Sequence, residues 1–151
     1  MIIDVYGTPA PQGSKRAFAV RGKGGIPTGK IAVIESSHDR VKSWRQAVID
    51  AAHEGDGSVF RNAVTVQMTF YLKRPLGHFR TGKNAGILRD SAPRRPAKMP
   101  DLSKLIRATE DALSDALVWA DDALVVSIDA AKYWDDAHPP GASIIIKEAE
   151  A

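Results

Sequence analysis

The sequence predicts an α+β domain, one mixed β-sheet with two helices packed on it, and three observations lead there. Residues Val64–Leu72 alternate without a break. Val64, Val66, Met68, Phe70 and Leu72 point one way, and Thr65, Gln67, Thr69 and Tyr71 point the other. That pattern belongs to a strand in a sheet covered on one side only. Two other segments, near 39–52 and 101–116, repeat apolar residues at helical spacing. The 151 residues fit one domain, residues 1–151, long enough to bury a core.

The remaining elements follow in order. Met1–Gly7 alternates, with Ile3 and Val5 on one face and Asp4 and Tyr6 on the other, which predicts a first strand. Thr8–Arg16 is a turn-rich connection carrying Pro9, Pro11 and Gly13, closing on Lys15 and Arg16. Ala17–Val20 and Lys30–Glu35 predict a hairpin whose Gly-rich tip, Arg21–Gly29, holds Arg21 and Lys23. Ser37 or Asp39 can cap a helix to about Ala52, with Val41, Trp44, Val48, Ala51 and Ala52 on its apolar stripe.

After the strand at 64–72 comes a long, irregular basic loop, 73–100, rich in Gly and Pro. Asp101 opens the second helix, which runs to about Ala116 with Leu102, Leu105, Ile106, Thr109, Ala112, Leu113 and Ala116 on one stripe. Val118–Asp122 is a tight connection, Leu124–Tyr133 a strand, Ala137–Gly141 a turn and Ala142–Lys147 the last strand. The predicted order is β–ββ–α–β–loop–α–β–β.

Composition narrows the function classes. Hydrophobic residues make up 44% and charged residues 26%, as in folded water-facing domains. No apolar run approaches the roughly 18 residues of a membrane helix, and the N-terminus lacks a signal-peptide pattern, so a cytoplasmic protein is expected. With no cysteine, disulfides and Cys-based zinc sites are excluded. His38, His53, His78 and His138 are scattered without ligand spacing.

Net charge is only +3, but its distribution is uneven. The segment Lys73–Pro100 holds eight Lys or Arg against a single acid, Asp90, leaving the rest of the chain 13 basic and 17 acidic residues. Such clustering suits phosphate binding, because each neutralised phosphate releases condensed counterions. A solvated loop with no partner accounts for it too.

The residues able to do chemistry lie around the second helix. Asp101 stands where the basic loop meets that helix, and Asp121 and Asp122 lie beyond its far end. Hard divalent cations want carboxylate oxygens, and a bound Mg²⁺ can activate water and neutralise charge on a phosphate. Structural readings stand beside each. Asp101 is a good helix N-cap, Asp121-Asp122 a good turn, and Arg107 can pair with Asp111 one helical turn on. Trp119 and Trp134 read as packing residues. Composition and spacing alone leave these readings open.

The run Lys98-Met-Pro-Asp101-Leu-Ser-Lys-Leu105-Ile-Arg107-Ala-Thr-Glu-Asp111-Ala-Leu113, followed by Trp119-Ala-Asp121-Asp122 and Val125-Val126, resembles the signature of the RusA family of Holliday junction resolvases. The opening Gly7-Thr-Pro-Ala-Pro-Gln-Gly-Ser-Lys15-Arg16 is similar to the basic start of many phage-type members. The resemblance implies a homodimeric endonuclease that uses Mg²⁺, or Mn²⁺ in its place. It would cut paired strands of branched DNA in recombination and repair, leaving 5′-phosphate and 3′-hydroxyl ends, in a bacterial host cell and of phage or prophage origin. Carried over by position, Asp101 and Asp122 are the essential carboxylates and metal ligands, with Asp121 beside them. Arg107 takes the place of a functionally important lysine. The cations expected to meet DNA are Lys15, Arg16, Lys73, Arg74, Arg80, Lys83, Arg89, Arg94, Arg95, Lys98 and Lys104.

One position departs from the family pattern. Ser103 stands where a second Asp is usual, so the site loses a full negative charge. Glu110 and Asp90 are the nearest acids able to substitute. The alternative function is a branched-DNA binding protein whose catalysis is weakened or lost at Ser103.

Spacing adds an expectation about assembly. A helix from Asp101 to Ala116 is roughly 22 Å long, whereas the six residues on to Asp122 cover at most about 20 Å. Bringing Asp101 and Asp122 together is easier between two antiparallel helices of a two-fold dimer than within one chain.

Overall fold

The computed structural model describes residues 1–13, 15–35 and 38–150. The element order is the one the sequence predicts. Strand β1 spans Ile2–Tyr6, β2 Lys15–Arg21, β3 Pro27–Glu35, β4 Val64–Leu72, β5 Val125–Trp134 and β6 Gly141–Glu148. The helices are α1, His38–His53, and α2, Leu102–Asp115. Four strands form a mixed sheet in the order β1-β6-β4-β5, with β4 and β5 parallel and the other pairs antiparallel. The parallel pair follows from the connection: α2 is the crossover that carries the chain from the end of β4 back to the start of β5. The hairpin β2–β3 does not join this sheet but stands as a sheet of its own. It is also longer than the alternation suggested, because extended backbone continues to Arg21 and starts again at Pro27.

Both helices cover one face of the sheet. Val64, Val66, Met68, Phe70 and Leu72 are buried there with Ile3, Val5, Ile144 and Ile146, as their alternation requires. From α1 come Val41, Trp44, Val48 and Ala52, and from α2 come Leu105, Ala108, Thr109, Ala112 and Leu113. Each large side chain so buried contributes about 1.5–3 kcal/mol. The one polar member of the α2 stripe has a reason to be there. Thr109 Oγ1 accepts a 3.0 Å hydrogen bond from the indole N–H of Trp44, so neither buried polar group is left unpaired.

Two helix ends carry detail that the apolar spacing does not give. Asp39 lies inside α1 rather than capping it, and Ser37 falls outside the described residues. At the end of α2, Leu117 adopts φ +58°, the Val118 N–H bonds the Leu113 carbonyl at 3.1 Å and the Leu117 N–H bonds the Ser114 carbonyl at 2.9 Å. This is the Schellman arrangement with a leucine where glycine is usual. It turns the chain sharply toward Trp119 and the Asp121-Asp122 pair.

Gly141, at the start of β6, faces Tyr6 on β1 and Tyr71 on β4. A Cβ built there would sit 1.9 Å from the Val5 carbonyl oxygen, on backbone that cannot yield without parting the strands. Gly141→Ala is therefore expected to destabilise the fold by about 3 kcal/mol or more. A urea titration followed by far-UV circular dichroism should show the midpoint drop.

Candidate active site and nucleic-acid surface

Asp101 occupies the N-cap position of α2, with extended backbone, but its side chain makes no capping hydrogen bond. Its carboxylate instead lies 3.7 Å from Lys104 Nζ and is exposed to solvent. An aspartate held at a helix N-terminus and not used as a cap is available to a cation or a phosphate-bound ion. The approach to it is fixed from β5. Lys132 Nζ donates to the carbonyls of Lys98 at 2.7 Å and Pro100 at 2.9 Å, tying the residues before Asp101 to the far end of that strand.

The acids at the other end of α2 divide by role. The Asp121 side chain accepts from the Ala123 N–H at 2.8 Å and caps a short turn, which is the structural reading of an Asp-Asp pair. Asp122 is different. Its Oδ1 accepts from the Ser114 hydroxyl and, at 3.1 Å, from the Trp119 indole N–H. Those two donors, the serine first, hold its carboxyl below the usual carboxylate range. Ser114 is itself fixed by donating to the Glu110 carbonyl and accepting from Trp119. Glu110, on the same side of α2, has its carboxyl pushed up by burial first, then by the charges of Asp122 and Asp111. The acid end of α2 is thus an oriented carboxylate beside a reluctant one.

The two ends do not meet within a chain. Asp101 and Ser114 are separated by 13 helical residues, roughly 20 Å at 1.5 Å per residue. Independently, Val125 and Lys132 are separated by seven strand residues, roughly 23 Å. Asp122 lies just before the first of these residues and the Lys132 contact to Pro100 marks the other end. Among the described residues no three His, Asp or Glu side chains gather as a metal would require. Asp101, Asp121 and Asp122 therefore do not form one ligand set inside a single chain, and a lone chain does not fit a divalent ion on these residues.

Arg107 is exposed midway along α2, and among the described residues it enters none of the ion pairs, the expected alternative with Asp111 included.

The basic segment is a folded lobe rather than an irregular loop. A short 3-10 turn, Leu76–His78, leads into an antiparallel bridge between Phe79 and Leu88, and a second, Gly82–Asn84, lies in the loop that the bridge closes. Its anchor corrects one expectation. Arg74 is only 6% exposed and does not face DNA. Its Nε and Nη2 grip the Asp136 carboxylate at 2.5 and 2.8 Å, its Nη1 donates to the Pro93 carbonyl, and its backbone N–H bonds Asp135. The guanidinium also lies 5.3 Å from the Trp134 ring, whose indole N–H donates to Pro93 as well. Lys73, Arg80, Lys83, Arg89, Arg94, Arg95 and Lys98 are exposed, although Arg80 pairs with Asp90 and Arg89 Nε bonds the Phe79 carbonyl. Lys104 is half-buried beside Asp101. The side chains of Lys15 and Arg16 lie outside the described residues.

The fold, the acid-flanked helix and the basic lobe coincide with one family model, Endodeoxyribonuclease RusA, which matches residues 8–147. The chain belongs to the RusA family. No curated protein matches it. RusA membership makes it an endodeoxyribonuclease of the class acting on Holliday junctions, and it agrees with the α+β fold described above.

Sequence reasoning missed the groups that hold these candidate residues: Ser114 and Trp119 at Asp122, Lys132 at Pro100, and the Asp135-Asp136 pair that holds Arg74. The second Asp-Asp pair was visible, but nothing in the sequence named its partner 62 residues away.

The anchor gives a pH test. Arg74 lowers the Asp136 carboxyl in the folded state, so this pair contributes stability above the ordinary carboxylate pKa of about 4. That contribution is lost as pH falls through the lowered value. Asp136→Asn should cost about 1–3 kcal/mol at neutral pH. Thermal melts across the acid range should show the variant losing less stability than the wild type as pH falls.

Proposed function

We propose that the protein is a Mg²⁺-dependent endonuclease, with Mn²⁺ able to substitute, that resolves four-way DNA junctions by paired nicks as a homodimer. Each active site would take Asp101 from one chain and Asp122 from the other. The observation that carries this reading is the separation of the two carboxylates at opposite ends of α2. In a two-fold dimer with the α2 helices antiparallel, each Asp101 approaches the partner chain's acid end.

Other features support an assembly on this side. Strand β5 is an edge strand, and near its start, close to Asp122 in the chain, Val126 is 61% exposed and Ile128 is partly exposed. Leu117, at the same end of α2, is also open to solvent. A second chain would cover this apolar strip. Glu110, beside Asp122, then supplies the charge missing at Ser103.

A divalent ion bound by such a set would activate a water and neutralise charge on the scissile phosphate. The chain's own residues would do the rest. Ser114 and Trp119 aim Asp122, Arg107 meets phosphate midway between the acid clusters, and the basic lobe holds the arms of the junction. Products would carry 5′-phosphates, in the setting of recombination and repair in a bacterial cell that a phage or prophage has entered. No helix among the described residues is long and apolar enough to cross a membrane.

Ser103 favours one second reading, a junction-binding protein without cleavage, since a neutral hydroxyl stands exposed in the first turn of α2. An end-labelled mobile four-way junction, incubated in Mg²⁺, Mn²⁺ or EDTA, separates the two. Symmetric nicks that need metal are expected. Binding without nicks in either metal would select the second reading.

Mixing Asp101→Asn with Asp122→Asn chains tests the shared site. Each variant alone should be at least about 100-fold slower than wild type. Mixed dimers should regain one working site, and no recovery after demonstrated subunit exchange would refute the arrangement.

A further inference from the structure

We propose that the sheet face turned away from the helices is a second nucleic-acid site, one that stacks the unpaired bases of single-stranded DNA. The site is a row of rings crossing the sheet. Tyr6 on β1 is in register with Gly141 on β6, Gly141 with Tyr71 on β4, and Tyr71 with Tyr133 on β5. All three tyrosines project to the same side, opposite Val5, Phe70 and the core, because side chains alternate along a strand.

The missing ring at Gly141 is supplied from the turn before it. The His138 ring lies 5.8 Å from Tyr6 with planes within 3°, and 4.1 Å from Tyr71 within 16°. Tyr133 continues the row 6.4 Å beyond Tyr71. Arg95, from the basic lobe, places its guanidinium 4.5 Å over the Tyr133 ring. The row is open to solvent at both ends, with Tyr6 64% and Tyr133 38% exposed.

Four strands at about 4.8 Å spacing give the row a length of roughly 14 Å, and because His138 already stacks on Tyr6 and Tyr71, bases add at its two ends, on Tyr6 and on the pair of Tyr133 and Arg95. Stacking on rings is tolerant of sequence, and an arginine beside a ring adds attraction for the nucleotide. The rest of the face is mostly polar, with Ile2 and Ile145 at its corner furthest from the lobe. Beside the row it carries Thr69 and Ser143, and further on Thr65 and Gln67. Asp4, in register with Ser143 beside the row, and Asp129, in register with Gln67 further on, share that face, so the phosphates must run along the lobe end, where Arg94 and Arg95 are exposed. The charge lies where a single strand leaving the basic lobe would need it.

The site stands apart from α2, needs no metal, and is independent of cleavage. The test is therefore run in EDTA on the full chain, with a fluorescein-labelled oligothymidylate and, as comparator, a four-way junction. Tyr6→Ala and Tyr133→Ala should each weaken oligothymidylate binding about 5-fold or more, with Tyr133→Phe close to wild type. The slope of log Kd against log salt should not change, because no phosphate contact is removed. Junction binding should stay within about twofold. Thermal melts check that the variants remain folded, and Tyr6, the most exposed ring, is removed at least risk to the core. Unchanged oligothymidylate binding in both alanine variants would overturn the proposal. So would equal weakening on both DNAs, or a change of oligomeric state on sedimentation, which would mark the face as a protein interface. A chain that fails to cut junctions leaves this readout intact, so the two readings fail separately.

Discussion

The length of α2 is the constraint on which the rest of the structure depends. A helix is a rigid spacer, and 14 residues of it fix the distance between the basic lobe at one end and the acid cluster at the other. Because α2 is also the crossover between the parallel strands β4 and β5, the sheet cannot bring its ends closer without breaking that pairing. The core residues Leu105, Ala108, Thr109, Ala112 and Leu113 hold it flat against the sheet. Stability and site geometry are thus set by the same residues, and a change in this stripe would move both ends at once.

Each end is then held by a different kind of contact. At the lobe end the fixing groups are long cations spent on carbonyls and carboxylates: Lys132 on Lys98 and Pro100, Arg74 on Asp136 and Pro93. At the acid end the fixing groups are neutral donors, Ser114 and Trp119, aimed at one carboxylate oxygen. Positive charge gathers a phosphate backbone, and neutral donors keep a carboxylate ionised without neutralising it. The division of labour along α2 matches what a phosphodiester-cutting site must combine.

The elements with a clean period were legible in the sequence. Strand β4 was found to the residue, and α2 to within one at each end, because a half-buried strand and an amphipathic helix each impose their spacing on apolar side chains. What escaped were contacts made across the chain. The basic segment has little periodicity, so its folded lobe was hidden. Arg74 looks like any other cation of that run until Asp136 is seen to hold it. Asp101 shows the opposite case. Its place before a helix favoured a cap, and only the geometry of its side chain shows that it does not cap. The candidate site was legible where residue types and resemblance coincided, and its supporting contacts were invisible where they rested on second partners such as Ser114.

The hairpin β2–β3 has a consequence of another kind. Two strands alone are marginal in water, and this pair carries exposed Phe18, Ile26, Ile31 and Val33 outside the main sheet. Its opening free energy must be far below that of the body, so amide exchange there should run ahead of every strand in the four-stranded sheet. The arm behaves as a separate folding unit, one whose order is settled by what it touches and not by the core beneath it.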